Sequence, residues 1–123
     1  MGDILVVDDN EDMCQVISDV LKAEGYMVEI AYNGESALDE LKKGTYDLMV
    51  LDYKLFDMTG LEVLEKLKWI IPPPYTIMIS AYGSESVKAR ALELEVHDFF
   101  DKPFDVKALL KVVKKELCKK TGT

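Results

Sequence analysis

The sequence predicts an α/β domain, doubly wound, in which a (βα)5 alternation builds a five-stranded parallel sheet. Two observations predict it. Short apolar runs alternate five times with stretches whose apolar residues recur at helical spacing, the pattern of a parallel sheet covered on both faces. The length of 123 residues suits one domain with one hydrophobic core.

The elements follow in order. Ile4-Leu5-Val6-Val7 is a continuous apolar run, as expected of a strand buried on both faces. Met13, Val16, Ile17, Val20 and Leu21 recur at helical spacing, and Gly25 stops that helix at the position after its C-cap. Val28 and Ile30 alternate with polar neighbours as a second strand. Ala37, Leu38 and Leu41 mark a second helix closed by Gly44. Leu48 to Leu51 is a third strand. Leu61, Leu64 and Leu67 lie on a third helix that ends before Pro72-Pro73-Pro74. Thr76 to Ile79 makes a fourth strand, and Val87, Ala91 and Leu94 a weaker helix with Ser84 as its N-cap. Val96 to Phe100 reads as the fifth strand. Val106, Leu109, Leu110, Val113 and Leu117 define the last helix, with Asp105 as candidate N-cap. The domain is expected over residues 1–118, with 119–123 a polar, fraying tail.

The strand runs end in polar residues with chemical capability. The first ends at Asp8-Asp9, the third at Asp52, the fourth at Ser80 and the fifth at Asp101-Lys102-Pro103. In a parallel sheet all carboxyl ends share one edge, and open α/β sheets bind ligands there. Each residue also has a plainer account. Asp8, Asp9 or Asn10 could cap the first helix, Asp52 the loop after it; Ser80 could bond only to backbone, and Lys102 could be a surface lysine. Together, at four of five strand ends, the plainer accounts are a poor explanation.

Carboxylates gathered in one place repel each other and raise at least one pKa, a penalty that a divalent cation removes. A small set of oxygen ligands suits Mg²⁺. The single His97 and the widely separated Cys14 and Cys118 do not suit zinc; the thiols read as reduced and partly buried. A carboxylate beside Mg²⁺ can attack phosphorus, a lysine can pair with a phosphoryl oxygen, and a hydroxyl can donate to another. No Walker-type glycine loop is present, so ATP is not the expected donor. The net charge of −8 argues against nucleic-acid contact. The locally basic last segment, Lys107 to Lys120, reads as the solvated face of a helix. No apolar run approaches the ~20 residues of a membrane span, and no signal-peptide pattern opens the chain, so a cytoplasmic protein is expected.

Five segments now carry a resemblance: Val6-Val7-Asp8-Asp9-Asn10, Asp47 to Asp52, Met58 to Leu64, Ser80-Ala81-Tyr82-Gly83 and Asp101-Lys102-Pro103-Phe104. In this order and at these spacings they resemble the receiver domain of two-component response regulators (the CheY-like family), over essentially the full chain. The resemblance implies a flavodoxin-like sheet of order 2-1-3-4-5. It implies that Asp52 is the phosphoacceptor, taking its phosphoryl group from a histidine kinase or histidine phosphotransfer protein. It also implies that Mg²⁺ is held by Asp8, Asp9, Asp52 and the backbone carbonyl of Lys54. Lys102 matches the phosphate-pairing lysine, and its bond to Pro103 one that is usually cis. Ser80 and Phe99 match the switch pair, in which the hydroxyl moves inward and the aromatic follows; Phe99 also reads as a plain core residue. The implied role is a signalling switch in a phosphorelay, not an enzyme acting on other substrates. Its output partner is unspecified. The face of the fourth helix, fifth strand and fifth helix is where the resemblance expects that partner. The chain reads as either a stand-alone regulator or a receiver cut from a longer one.

Departures from the family pattern set further expectations. Phe56 replaces a common proline, which predicts a more mobile loop after Asp52. Thr59 replaces a frequent aspartate. Glu95-Val96 replaces Gly-Ala, and Pro72 to Pro74 make an unusual approach to the fourth strand. Lys54 and Tyr82 flank the acceptor and the hydroxyl, where they are expected to shield the phosphate from water. Three competing readings are weaker. An aspartyl-nucleophile phosphatase needs its two acids one residue apart, whereas Asp8 and Asp9 are adjacent. A flavin site needs a phosphate cradle where Asp8 to Asp12 are acidic. A pseudo-receiver would not need the intact Asp8, Asp9, Asp52, Ser80 and Lys102 set.

Overall fold

Side chains alternate across the central strands and build a separate core on each face of the sheet. The computed structural model describes residues 3–81 and 84–120. The strands are β1 (Asp3–Val7), β2 (Met27–Ala31), β3 (Leu48–Asp52), β4 (Tyr75–Ser80) and β5 (Asp98–Asp101). The helices are α1 (Glu11–Ala23), α2 (Gly34–Lys43), α3 (Gly60–Leu67), α4 (Glu85–Glu93) and α5 (Val106–Lys120). All strand pairings are parallel, in the order β2-β1-β3-β4-β5, so the expected fold and order hold.

Ile4 and Val6 of β1, Leu48 and Val50 of β3, and Ile77 and Ile79 of β4 face α1 and α5, where they meet Cys14, Ile17, Leu21, Leu109, Val113 and Leu117. The intervening Leu5, Val7, Met49, Leu51 and Met78 face the other layer, against Ala37, Leu38, Leu41, Leu64, Leu67 and Ala91 of α2, α3 and α4. Period-two alternation within fully apolar runs is what double-sided burial demands.

Local chemistry sets the helix ends. Asn10, Asn33, Thr59 and Ser84 each accept a hydrogen bond from the backbone N–H three residues on, the N-cap geometry that satisfies an orphan donor. Asp105 Oδ1 accepts from the Lys107 N–H, which supports its expected role at the start of α5. Gly25 takes φ +95° after α1, while its N–H and that of Tyr26 reach back to Lys22 and Leu21 carbonyls. Gly44 closes α2 with an extended backbone instead, its N–H bonding the Glu40 carbonyl.

The expected boundaries of β5 and β4 move. β5 begins at Asp98 rather than Val96 because Val96 serves the end of α4: its N–H bonds the Ala91 carbonyl. Before it, Glu95 takes φ +66°, the left-handed region that favours glycine. That accounts for where Glu95-Val96 departs from the family pattern, though not for why glutamate stands there. β4 runs one residue further at each end than Thr76 to Ile79. Cys14 is buried as expected, whereas Cys118 is exposed on α5, since its position on the helix turns away from the sheet.

Candidate functional site

The register brings the predicted residues to one edge. β1 pairs with β3 at Val7↔Leu51, which places Asp8, the residue after β1, beside Asp52, the last residue of β3. β4 pairs with β5 at Ser80↔Asp101, so Lys102 leaves the sheet beside them. The Lys102–Pro103 peptide bond is cis, as the resemblance implied.

Asp8 and Asp52 are almost fully buried, at 3% and 5% exposure, and Ser80 is buried as well, while Asp9 is exposed. Lys102 Nζ lies 3.3 Å from Asp52 Oδ1 and 3.5 Å from Asp8 Oδ2. One ammonium therefore bridges two carboxylates that would otherwise repel. Burial and the neighbouring Asp8 charge push the Asp52 carboxyl up to about 6, against the pull of Lys102. Burial disfavours the Lys102 charge, but Asp52 and Asp8 outweigh it and hold the ammonium above its ordinary range.

The capping question has a clear answer. Asn10 caps α1, and Asp8 Oδ1 accepts from the Asn10 N–H at 2.9 Å. Asp8 Oδ2 is left to face Lys102. Thr59, not Asp52, caps α3. Cys14 Sγ donates to the Asp8 carbonyl oxygen at 3.2 Å, and burial together with the Asp8 charge pushes its thiol up to about 12, so it stays protonated.

Asp8, Asp9 and Asp52 each offer an oxygen, all within 4.8 Å of one another. Three hard oxygen ligands on one open edge fit Mg²⁺, which keeps several waters. Beside them a cleft of about 430 Å³ is lined by Asp9, Asp52, Lys54, Leu55, Phe56, Ala81 and Lys102. Lys54, one of its lining residues, is bridged to Thr59 across the turn of the loop.

A scan of family models matches residues 4–114 to the response regulator receiver domain. The chain belongs to that family. As a receiver it is 37% identical to sporulation initiation phosphotransferase F of Bacillus subtilis, over 93% of this chain and 92% of that protein. Among solved structures it matches a CheY-like receiver domain from Methanospirillum hungatei, with a TM-score of 0.92, 30% identity and 99% and 98% of the two chains covered. It also matches the response regulator TrrA from Thermotoga maritima, solved in complex with Mg²⁺ and a beryllium fluoride, with a TM-score of 0.81, 31% identity and 94% and 98% coverage. Other curated relatives are longer transcriptional regulators: the receiver spans 53% of one and 26% of another. Response regulators work with histidine kinases, and this receiver is a signalling domain. Among the described residues no helix is long and apolar enough to cross a membrane.

The remaining predicted positions fall out as follows. Phe99 is half-buried on β5 against the α2–α4 core, with Lys88 Nζ 5.3 Å from its ring centroid and ion-paired to Asp101 at 3.6 Å. The position of Tyr82 lies outside the described residues. Phe56 is 88% exposed, yet the loop that carries it is pinned: Leu55 is buried, the Leu55 N–H bonds the Met58 carbonyl, and Asp57 bonds the start of α2. Those ties hold the loop against α2 despite the exposed Phe56. Sequence reasoning missed Asp57 and Asn33. Asn33 carried a signal, an Asn three residues before Ser36 at a helix start; Asp57 carried none.

Proposed function

We propose that this receiver accepts a phosphoryl group on Asp52, with Mg²⁺ held by Asp8, Asp9, Asp52 and the Lys54 carbonyl. The observation that carries this is the Lys102 ammonium poised between Asp52 and Asp8, beside three convergent carboxylates on an open cleft. A bound Mg²⁺ would neutralise the carboxylates and the negative charge on the phosphoryl oxygens.

The residues divide the work. An Asp52 carboxylate oxygen attacks phosphorus in line with the leaving group. The new O–P bond forms as the P–N bond to a donor imidazole breaks; the departing nitrogen keeps the electron pair and takes a proton from solvent. Lys102 moves from pairing Asp8 and Asp52 to pairing a phosphoryl oxygen as a compact point charge. The Ser80 hydroxyl, at the end of the adjacent strand, donates to another. Its inward movement opens space for Phe99, so phosphorylation shifts a population between two packings of β5 and α4. The domain transfers the group only onto itself. We further propose that the donor is a histidine kinase or histidine phosphotransfer protein, and that output contacts use the α4–β5–α5 face.

Incubation with Mg²⁺ and acetyl phosphate, followed by intact mass, tests the reading. A phosphoryl adduct in wild type that is absent in Asp52→Asn and without Mg²⁺ is expected. An adduct that persists in Asp52→Asn would sink the assignment.

A further inference from the structure

The loop between β3 and α3, residues 53–59, is fixed at its base by the sheet. The Tyr53 N–H bonds the Ile79 carbonyl at 2.8 Å, and the Gly60 N–H bonds the Tyr53 carbonyl. Within the loop, the Lys54–Thr59 bridge and the Leu55–Met58 bond make a tight, internally bonded turn. Its tip gains little from packing, since Phe56 points into solvent.

What holds the tip is Asp57. Its Oδ1 accepts from the Gly34 N–H at 2.8 Å and its Oδ2 from the Glu35 N–H at 3.0 Å. Both donors belong to the first turn of α2, where helix N–H groups have no internal partner and the helix dipole favours an anion. Burial disfavours the Asp57 charge, but these backbone donors outweigh it and hold its carboxyl below the ordinary range. Met58 closes the same joint: a Cβ added at Gly34 would collide with its Cγ and Sδ. The side chain of Asp57 thus belongs to the joint with α2 rather than to the carboxylate cluster, although it lies only five residues from Asp52.

We infer that Asp57 is a positioning residue for the metal site: by clamping the loop onto the N-terminus of α2, it holds the Lys54 carbonyl at the mouth of the Asp8–Asp9–Asp52 cluster. The inference rests on the reading of Asp52 as a Mg²⁺-dependent phosphoacceptor. It separates two effects. Asp8, Asp9, Asp52 and Lys102 are set by strand ends and do not depend on the clamp. Loss of the clamp loosens only the ligand carried by the loop. Metal affinity therefore falls, while the rate once metal is bound does not.

The test is the Mg²⁺ dissociation constant of the unphosphorylated protein, by isothermal titration calorimetry, together with the Mg²⁺ dependence of phosphorylation by acetyl phosphate, read by intact mass; the two should move together. In Asp57→Ala the Mg²⁺ concentration at half-maximal rate should rise about tenfold, the usual scale for losing a group that orients a ligand. The maximal rate should stay within about twofold, which a merely structural loss would not produce. Asp57→Asn, whose amide oxygen can still accept from Gly34, should recover part of the affinity. Gly34→Ala, which displaces Met58 from the other side of the joint, should weaken Mg²⁺ in the same direction. A lower maximal rate with unchanged half-saturation in these variants would overturn the role of Asp57, as would no change in either. If wild type itself showed no Mg²⁺ dependence, the metal-site reading would fail, and this inference with it.

Discussion

Asp52→Asn should stabilise the metal-free fold at pH 8, because the fold holds a carboxylate where it disfavours the charge. The Asp52 carboxyl is raised from 3.8 to about 6, chiefly by burial and then by Asp8. A raised folded pKa means the native state binds more protons than the unfolded state between roughly pH 4 and 6. Stability from this group is therefore fully present below about pH 4 and is lost as pH rises through 6. At 1.36 kcal/mol per unit, the loss above pH 6 approaches 3 kcal/mol. Because Asp52 shares Lys102 with Asp8, a gain of about 1–3 kcal/mol is expected for the neutral amide. The natural stability of a domain is roughly 5–15 kcal/mol, so the gain is easily seen. Urea unfolding in EDTA at pH 8 should show a midpoint shifted upward by about 1 M, given slopes of roughly 1–3 kcal/mol/M. At pH 4 the two proteins should converge. Mg²⁺ at a hundred times its dissociation constant should return about 2.7 kcal/mol to wild type and close the gap. Equal stability in EDTA at pH 8, or an advantage that survives unchanged at pH 4, would refute this account of Asp52.

Other expectations follow from the same geometry. Under native conditions at pH 8, a thiol reagent should modify Cys118 quickly and leave Cys14 intact, since Cys14 is buried and its thiol is pushed to about 12; mass mapping after a short pulse checks it, and early labelling of Cys14 would count against the packing of α1. Glu95→Gly should raise stability by about 1 kcal/mol by relieving the left-handed backbone at φ +66°, measured by urea unfolding; a loss would mean that the Glu95 side chain contributes more than the strain. Decay of the phosphorylated form should be faster in Lys54→Ala and Tyr82→Ala if those side chains shield the phosphate from water, and unchanged lifetimes would remove that role.

Much of the site was legible because a parallel sheet turns sequence order into spatial convergence. Once Ile4 to Val7, Leu48 to Leu51 and Thr76 to Ile79 read as buried parallel strands, Asp8, Asp9, Asp52, Ser80 and Lys102 had to share an edge, whatever the strand order. Residues that act through a partner distant in sequence were not legible. Asp57 reads as a loop aspartate until Gly34 and Glu35 are seen against it, 23 and 22 residues away. The start of β5 was misplaced because Val96 has strand-like character locally, yet its N–H is taken by the end of α4. Nor was it legible from Phe56 that the loop is tied to α2 through Asp57 and buries Leu55.

By itself, then, the sequence determined the alternation of five strands and five helices, the edge at which chemistry collects and the residue types found there, since periodicity and hydrophobicity are local properties of the chain. The tertiary structure alone decided where each of these polar side chains is directed. It gave helix capping to Asn10, turned Asp8 and Asp52 toward one lysine, and sent Asp57 to α2. Those assignments depend on distances between segments far apart in sequence, and a hydrogen bond or an ion pair exists only within a few ångströms.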